Sequence, residues 1–398
     1  MSLRHDALRR LGNDLAARRL SRRDFVRRAA ALGVSAPVTA AILRVTGNEA
    51  SAAESATPLL RTSSQQEDKL VISSWGGNFG EAQRAAQFEP FTKETGIEVV
   101  LAPQSPELAL IEAQVTSGKV EWDLAENSNL GAFALAGKGM LEPIDYGKMD
   151  AGVLADVDEV VKGEHSVGFF FWSSLLGYNT EFFEEGKYPG SWTDFWNTEA
   201  FDAPRGLTEM NFEPPPLEAA LLAKGVTPDK LYPLDIEAAF ASLDDIRPHI
   251  TKWLGVGADG TQLLAQGELG MASAGNGSLV NAKKDGAPVD LTWNQGLLYF
   301  DAWVIPKGAE RTENAYRFIE FCLRPEHQAS FVQAYPIGAV AAKAYETIPA
   351  EVAAISAGAP DNLAKQVKVD SAWWTAKNEN GKTNLETVYD KWAEWIIT

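Results

Sequence analysis

From Lys69 onward, short apolar runs alternate with stretches of helical spacing. Leu70-Val71-Ile72-Ser73 reads as a buried strand that ends at Trp75-Gly76-Gly77. Ala82, Ala85, Ala86, Phe88 and Phe91 then recur near every third or fourth position and predict a helix over 81–94. A strand over 97–101, a helix over 107–116 and a strand at Asp123-Leu124-Ala125 continue the series. Such strand–helix alternation predicts a parallel sheet in an α/β domain. Ligands of these sheets bind beyond the carboxyl ends of the strands. That rule places Ser74, Trp75, Glu126, Asn127 and Ser128 on one rim.

Further along, the unbroken apolar and aromatic run from Val167 to Tyr178 reads as a long strand. Ser191 is placed to cap a helix, with Asp194 at the acid position of a capping box. Helical spacing returns over 237–243 and 261–266, and strands are predicted at 270–272 and 299–306. A helix from Thr312 to Leu323 follows, closed by Pro325. Pro214-Pro215-Pro216 forms a rigid loop ahead of a helix from Leu217. Near the C-terminus Leu385, Val388, Trp392 and Trp395 are spaced as the core-facing stripe of a helix.

The first fifty residues follow another pattern. Residues 1–52 hold ten Arg, no Lys and four acids, a balance of +6 that leaves −24 for the rest of the chain. A basic stretch with Arg22-Arg23 and Phe25 precedes an apolar run from Ala29 to Leu43, and Ala50-Ser51-Ala52 follows as a small-residue cleavage sequence. Fifteen weakly apolar residues are too few to span a bilayer. The order of basic, apolar and small-residue regions is that of a signal peptide, cleaved between Ala52 and Ala53. The arginine pair resembles a twin-arginine export signal. With no cysteine beside the cleavage sequence, a lipid anchor is not expected. Residues 53–67, rich in Ser, Ala, Thr and Gln, read as a flexible leader.

Composition narrows the chemistry. The 398 residues carry a net charge of −18, and an acidic surface repels phosphate backbones, so nucleic acid is excluded as an expected partner. A lone cysteine, Cys322, rules out a disulfide framework and multi-cysteine metal sites, and the four histidines show no metal-ligand spacing. No cofactor is expected. A secreted hydrolase is the competing class, since paired carboxylates alone can cleave glycosides. Against it stand the absence of a G-x-S-x-G sequence, of a phosphate loop after Gly76-Gly77, and of a histidine in a nucleophile–base pattern.

Five stretches carry a resemblance. They are Val71–Gly77 with Phe91-Thr92-Lys93-Glu94-Thr95-Gly96-Ile97-Glu98-Val99 after it, Trp122-Asp123-Leu124, Pro189–Trp196, Phe300–Ala309, and Tyr316–Pro325. In this order they resemble extracytoplasmic solute-binding proteins of ABC importers, in the spermidine/putrescine-binding branch. The resemblance implies a two-lobed α/β fold of the periplasmic-binding-protein type (type II-like), with a ligand cleft and hinge closure. Lobe one is expected over 68–177 and 302–344, and lobe two over 178–301 and 345–398. It also implies a periplasmic or extracytoplasmic monomer that is not an enzyme and hands a small solute to membrane permease subunits. A chemoreceptor partner shares the same fold and stays open.

For the site, the resemblance implies that Trp75 falls on the family's aromatic clamp. Tyr299 falls where the polyamine binders carry Trp, Asp301 on their amine-binding carboxylate, Tyr335 on another aromatic and Ser128 on a polar rim position. An ammonium solute suits such a set, because a carboxylate supplies charge and rings supply cation–π attraction. Departures bear on the solute. Gly275-Asn276-Gly277 stands where those proteins have W-N-G, Leu130 replaces an aromatic, and only Glu213 could stand in for their second pair of acids. Glu126 reads as a solvated loop residue, with a further carboxylate at the site as the competing reading. A polyamine and a solute with one cationic end, such as an amino acid or betaine, therefore both remain expectations.

Overall fold

The computed structural model describes residues 68–397 apart from 210–213, 215 and 256. The signal peptide, the Ala52–Ala53 cleavage point, the leader and Glu213 lie outside the described residues.

Strand β1 (Lys69–Ser73) pairs in parallel with β2 (Glu98–Leu101) on one side and β3 (Leu124–Ser128) on the other. Leu70 and Ile72 leave β1 on one face and are fully buried. Gly76 and Gly77 turn the chain out of β1 with φ of 75° and 61°, a region open chiefly to glycine. Helices α1 (Gly77–Gln83) and α2 (Glu89–Thr95) follow, joined by a π-helical segment over Arg84–Phe88. The helix expected over 81–94 thus starts earlier and carries a π-turn, which lets Gln83, Gln87, Phe88 and Phe91 all face inward. Helix α3 (Leu108–Ser117) leads to β3, and α4 (Asn129–Gly137) leaves it.

Two long strands carry the centre of the sheet. β4 (Val167–Asn179) runs antiparallel to β8 (Val289–Val304), with irregularities in register near Gly168–Phe170 and Ser174–Leu176. β8 begins well before the predicted 299. Its first half, Val289–Leu298, contains Asn294-Gln295-Gly296, and Gln295 adopts φ of 60°, so apolar alternation is interrupted there. Gln295 in turn secures α5 (Trp192–Trp196): its backbone carbonyl accepts the Trp192 indole N–H at 3.0 Å, and its side chain accepts the Trp192 amide at 3.1 Å. Ser191 caps α5 as expected, but Asp194 takes the amide of Gly190, one residue ahead of the cap.

β5 (Arg205–Thr208), α6 (Leu217–Ala223), α7 (Ile236–Ile246), β6 (Ile250–Leu254), α8 (Gly257–Ala265), β7 (Met271–Gly275) and α9 (Asn276–Lys284) fill the stretch between β4 and β8. After β8 come α10 (Thr312–Leu323) and α11 (Pro325–Ala334). Pro325 opens α11 as well as closing α10, because a first-turn proline has no helical N–H to lose. The last elements are β9 (Val367–Lys368), α12 (Ser371–Thr375) and α13 (Asn384–Trp395). The sheet order is β2-β1-β3-β8-β4-β7-β5-β6, with β9 on β8. It is mixed rather than all parallel, since β3, β4 and β7 enter antiparallel pairs.

Side chains pack in separate clusters around this sheet. One gathers Leu70, Ile72, Phe91, Phe169, Trp303 and Phe318; another gathers Trp192, Phe195, Leu222, Phe240, Trp374 and Trp392. Ile348 and Ala357 pack in the first cluster and Val367 and Val369 in the second, so the C-terminal chain passes from one cluster to the other between them. The Val388–Trp392 face of α13 is buried, as its spacing predicts. A buried ion pair ties α10 to the first strands: Arg311 donates from Nη1 to both Asp123 oxygens at 2.9 Å, and Val71 donates its amide to Asp123 at 2.8 Å.

Candidate functional site

The register sets Asp301 of β8 opposite Ser128 at the carboxyl end of β3 and opposite Phe170 of β4. Burial of a carboxylate in this strand demands partners. They are two indoles: Trp75 donates from Nε1 to Oδ2 and Trp172 from Nε1 to Oδ1, each at 2.9 Å. Asp301 is 7% exposed. Both of these partners are neutral donors of the protein. Burial pushes its pKa up to about 6, while the Trp172 and Trp75 hydrogen bonds hold it from rising further. At neutral pH it is an anion held by neutral donors, with one lone pair on each oxygen still available.

Both indoles meet that charge edge-on, through their N–H groups. Trp172 stacks on Tyr299, its cross-strand partner, with centroids 4.6 Å apart and planes at 18°. Tyr299 itself is buried. Trp75 is 37% exposed and thus keeps part of its ring accessible above Asp301. Trp172 was not singled out from the sequence, where it is one aromatic in an apolar run. Its indole N–H, which needs an acceptor once the strand is buried, is the signal that could have found it.

Tyr335 stands apart from this group, edge-on to Phe79 at 5.5 Å and beside Gly277. The next residue, Pro336, accepts a hydrogen bond from Asn276 Nδ2 at 2.9 Å, and Asn276 Oδ1 accepts the Ser173 amide, also at 2.9 Å. Asn276 therefore links the Tyr335 loop to β4. A Cβ at Gly275 would meet nothing nearer than Ser278 Oγ at 3.8 Å, and glycine leaves this position without the ring that the resemblance implies there. Ser128 uses its hydroxyl as the cap of α4, accepting the Gly131 amide at 3.2 Å.

Glu126 is not a solvated loop residue. It sits within β3, fully buried, and burial pushes its pKa up to about 8. Oε2 accepts the Trp75 amide at 3.1 Å, Oε1 accepts from Gln83 Nε2, and Ser74 donates its hydroxyl to Gln83 Oε1 at 2.8 Å. Among the described residues no group of three or more His, Cys, Asp or Glu could hold a metal ion, and no helix is long and apolar enough to cross a membrane.

One buried anion is thus held by two indoles, one of them stacked on a phenol ring. The chain belongs to the bacterial extracellular solute-binding protein family, whose sequence profile matches residues 86–359. It has the periplasmic-binding-protein fold and is a substrate-binding protein of the ABC-transporter class, non-enzymatic carriers that deliver small solutes to membrane permeases. Within that class it is similar to the gamma-aminobutyric acid-binding protein of Pseudomonas aeruginosa, 32% identical over 82% of this chain and 92% of the relative. It is also similar to the spermidine/putrescine-binding periplasmic protein of Escherichia coli, 26% identical over 64% of this chain and 74% of that protein. An ABC transporter substrate-binding protein from Bradyrhizobium japonicum has a solved structure that matches with a TM-score of 0.73 and 36% identity, covering 82% of this chain and 99% of the other.

Proposed function

We propose that this protein captures a small solute with one ammonium head, of the ω-amino acid class, and delivers it to an ABC importer. Asp301 carries the reading: a buried carboxylate with only neutral donors gains most from a cation that shares its remaining lone pairs. Trp75, Trp172 and Tyr299 supply the rings around that head, and Tyr335 lines the approach from the α11 side. A small cavity next to Tyr299 is lined mostly by apolar residues, and its Thr208 and Ser273 hydroxyls are hydrogen-bonded to each other at 2.6 Å. Glycine at 275 presents no ring on which a second ammonium of a diamine would stack. The resemblance to a γ-aminobutyrate binder supports the same choice. Two lobes, one built on the β2-β1-β3 side and one on the β7-β5-β6 side, close on the solute across β4 and β8.

Calorimetric titration of residues 53–398 with γ-aminobutyrate and putrescine tests the reading. Tighter binding of γ-aminobutyrate, abolished by Asp301→Asn, supports it; tighter putrescine binding moves the assignment to the polyamine class. Binding of neither compound, with a neutral solute stabilising the protein instead, refutes it. Delivery begins outside the cytoplasm, after twin-arginine export. Replacing Arg22 and Arg23 by Lys should leave uncleaved precursor in the cytoplasm, and mass spectrometry of the exported wild-type protein should find Ala53 as its first residue.

A further inference from the structure

Unlike Trp172 and Tyr299, Trp75 is carried on a loop, between β1 and α1, next to two glycines in the left-handed region. Glycines at that point leave the backbone free to take other paths, so the ring over Asp301 needs an external brace. Three side chains supply it. Glu126 holds the Trp75 amide, Gln83 holds Glu126, and Ser74 is tied to Gln83. Glu126 and Gln83 are both fully buried, and β3 pins Glu126 opposite Trp303 of β8. The brace and the ion-binding carboxylate meet through a single residue, since Trp75 accepts support at its backbone and donates from its indole to Asp301.

We propose that Glu126 is a positioning residue: through the backbone of Trp75 it sets the ring that covers Asp301, and thereby the affinity for the solute, without touching the solute. The proposal rests on the assignment of Asp301 as the ammonium site. Its acid–base behaviour follows from its neighbours. The titratable groups facing Glu126 are Asp301 on β8 and Cys322 on α10, and burial keeps the Cys322 thiol protonated. Glu126 is therefore a neutral acid at pH 7, and the Asp301 charge is one of the forces raising its pKa. An ammonium bound at Asp301 cancels that charge, so binding favours proton loss from Glu126. By linkage, cation affinity rises as pH approaches about 8 and is level above it.

The test measures γ-aminobutyrate and putrescine affinities from pH 5 to 9, together with the Trp75 indole N–H resonance of solute-free protein, assigned by Trp75→Phe. Glu126→Ala should move that resonance and weaken binding by about tenfold or more, as a displaced contact residue does. Should that variant not fold, Glu126→Gln carries the test, because it keeps an oxygen for the Trp75 amide but cannot ionise. In it the rise near pH 8 should vanish while the dependence near pH 6 persists. An unmoved resonance with unchanged affinity in Glu126→Ala, or a rise near pH 8 retained in Glu126→Gln, overturns the proposal. Loss of the dependence near pH 6 from the wild-type protein instead marks failure of the Asp301 assignment.

Discussion

Protonating Asp301 should release an ammonium solute, and the structure sets the scale. With a pKa of about 6 in the free protein, Asp301 is almost wholly ionised at pH 7.5 and about one part in ten ionised at pH 5. Only the ionised form attracts the cation, so apparent affinity should fall about tenfold between those pH values. Asp301→Asn removes the countercharge at every pH and should weaken binding by about 2–5 kcal/mol, roughly 30- to several-thousand-fold. Stability moves differently. The carboxyl titrates at about 3.8 unfolded and about 6 folded. A raised pKa in an acid means that the unfolded chain loses its proton first, so stability falls as pH rises from about 4 to 6 and is then level. Two units correspond to about 3 kcal/mol. The Asn variant escapes that penalty but turns an amide N–H toward one indole N–H, at a cost of about 1–3 kcal/mol. Its melting temperature at pH 7 should consequently lie near the wild type's, while its profile between pH 4 and 6 should be flatter. Calorimetric titration and thermal melts of both proteins at matched pH measure each quantity. An affinity that stays constant from pH 7.5 to 5, or that survives Asp301→Asn, refutes the reasoning.

Trp172→Phe keeps a ring on Tyr299 but removes one of the two donors to Asp301, so the half-point of the affinity profile should move above pH 6, read by the same titrations. Arg311→Ala leaves the Asp123 carboxylate buried without its cation and should destabilise the fold by about 3–5 kcal/mol in denaturant melts. Glu218 of α6, fully buried, accepts from the Tyr232 hydroxyl at 2.6 Å and the Trp374 indole at 2.8 Å. Glu218→Ala should lower the melting temperature by leaving both without an acceptor. Burial raises the Glu218 pKa, and Glu218→Gln, which keeps an acceptor for both donors, should melt above Glu218→Ala.

Strands whose side chains all face apolar surroundings were legible from the sequence: β1, β4 and the second half of β8 each show a run that needs burial. Asp301 and Trp75 entered through a resemblance carried by neighbouring motifs, and the fold brings the two side chains into contact. What stayed hidden depends on contacts between distant segments. Glu126 looks like any other acid near a loop until β3 is seen between β1 and β8, where water cannot follow it. Trp172 reads as core until Asp301, 129 positions away, is placed under its indole. The first half of β8 was missed because Gln295 leaves the extended region and breaks the two-residue period on which strand recognition rests.

The place of β8 in the sheet has a consequence for how the chain is made. Every strand through β7 leaves the ribosome before β8, yet β8 is what joins β3 to β4; without it the sheet is two pieces, β2-β1-β3 and β4-β7-β5-β6. The edge of β3 therefore waits for the synthesis of residues 129–304, on the order of ten seconds or more at ordinary elongation rates. During that interval two unpaired edges are exposed, and whatever holds the nascent chain must shield both. Translation order thus puts the closing of the sheet near the end of synthesis.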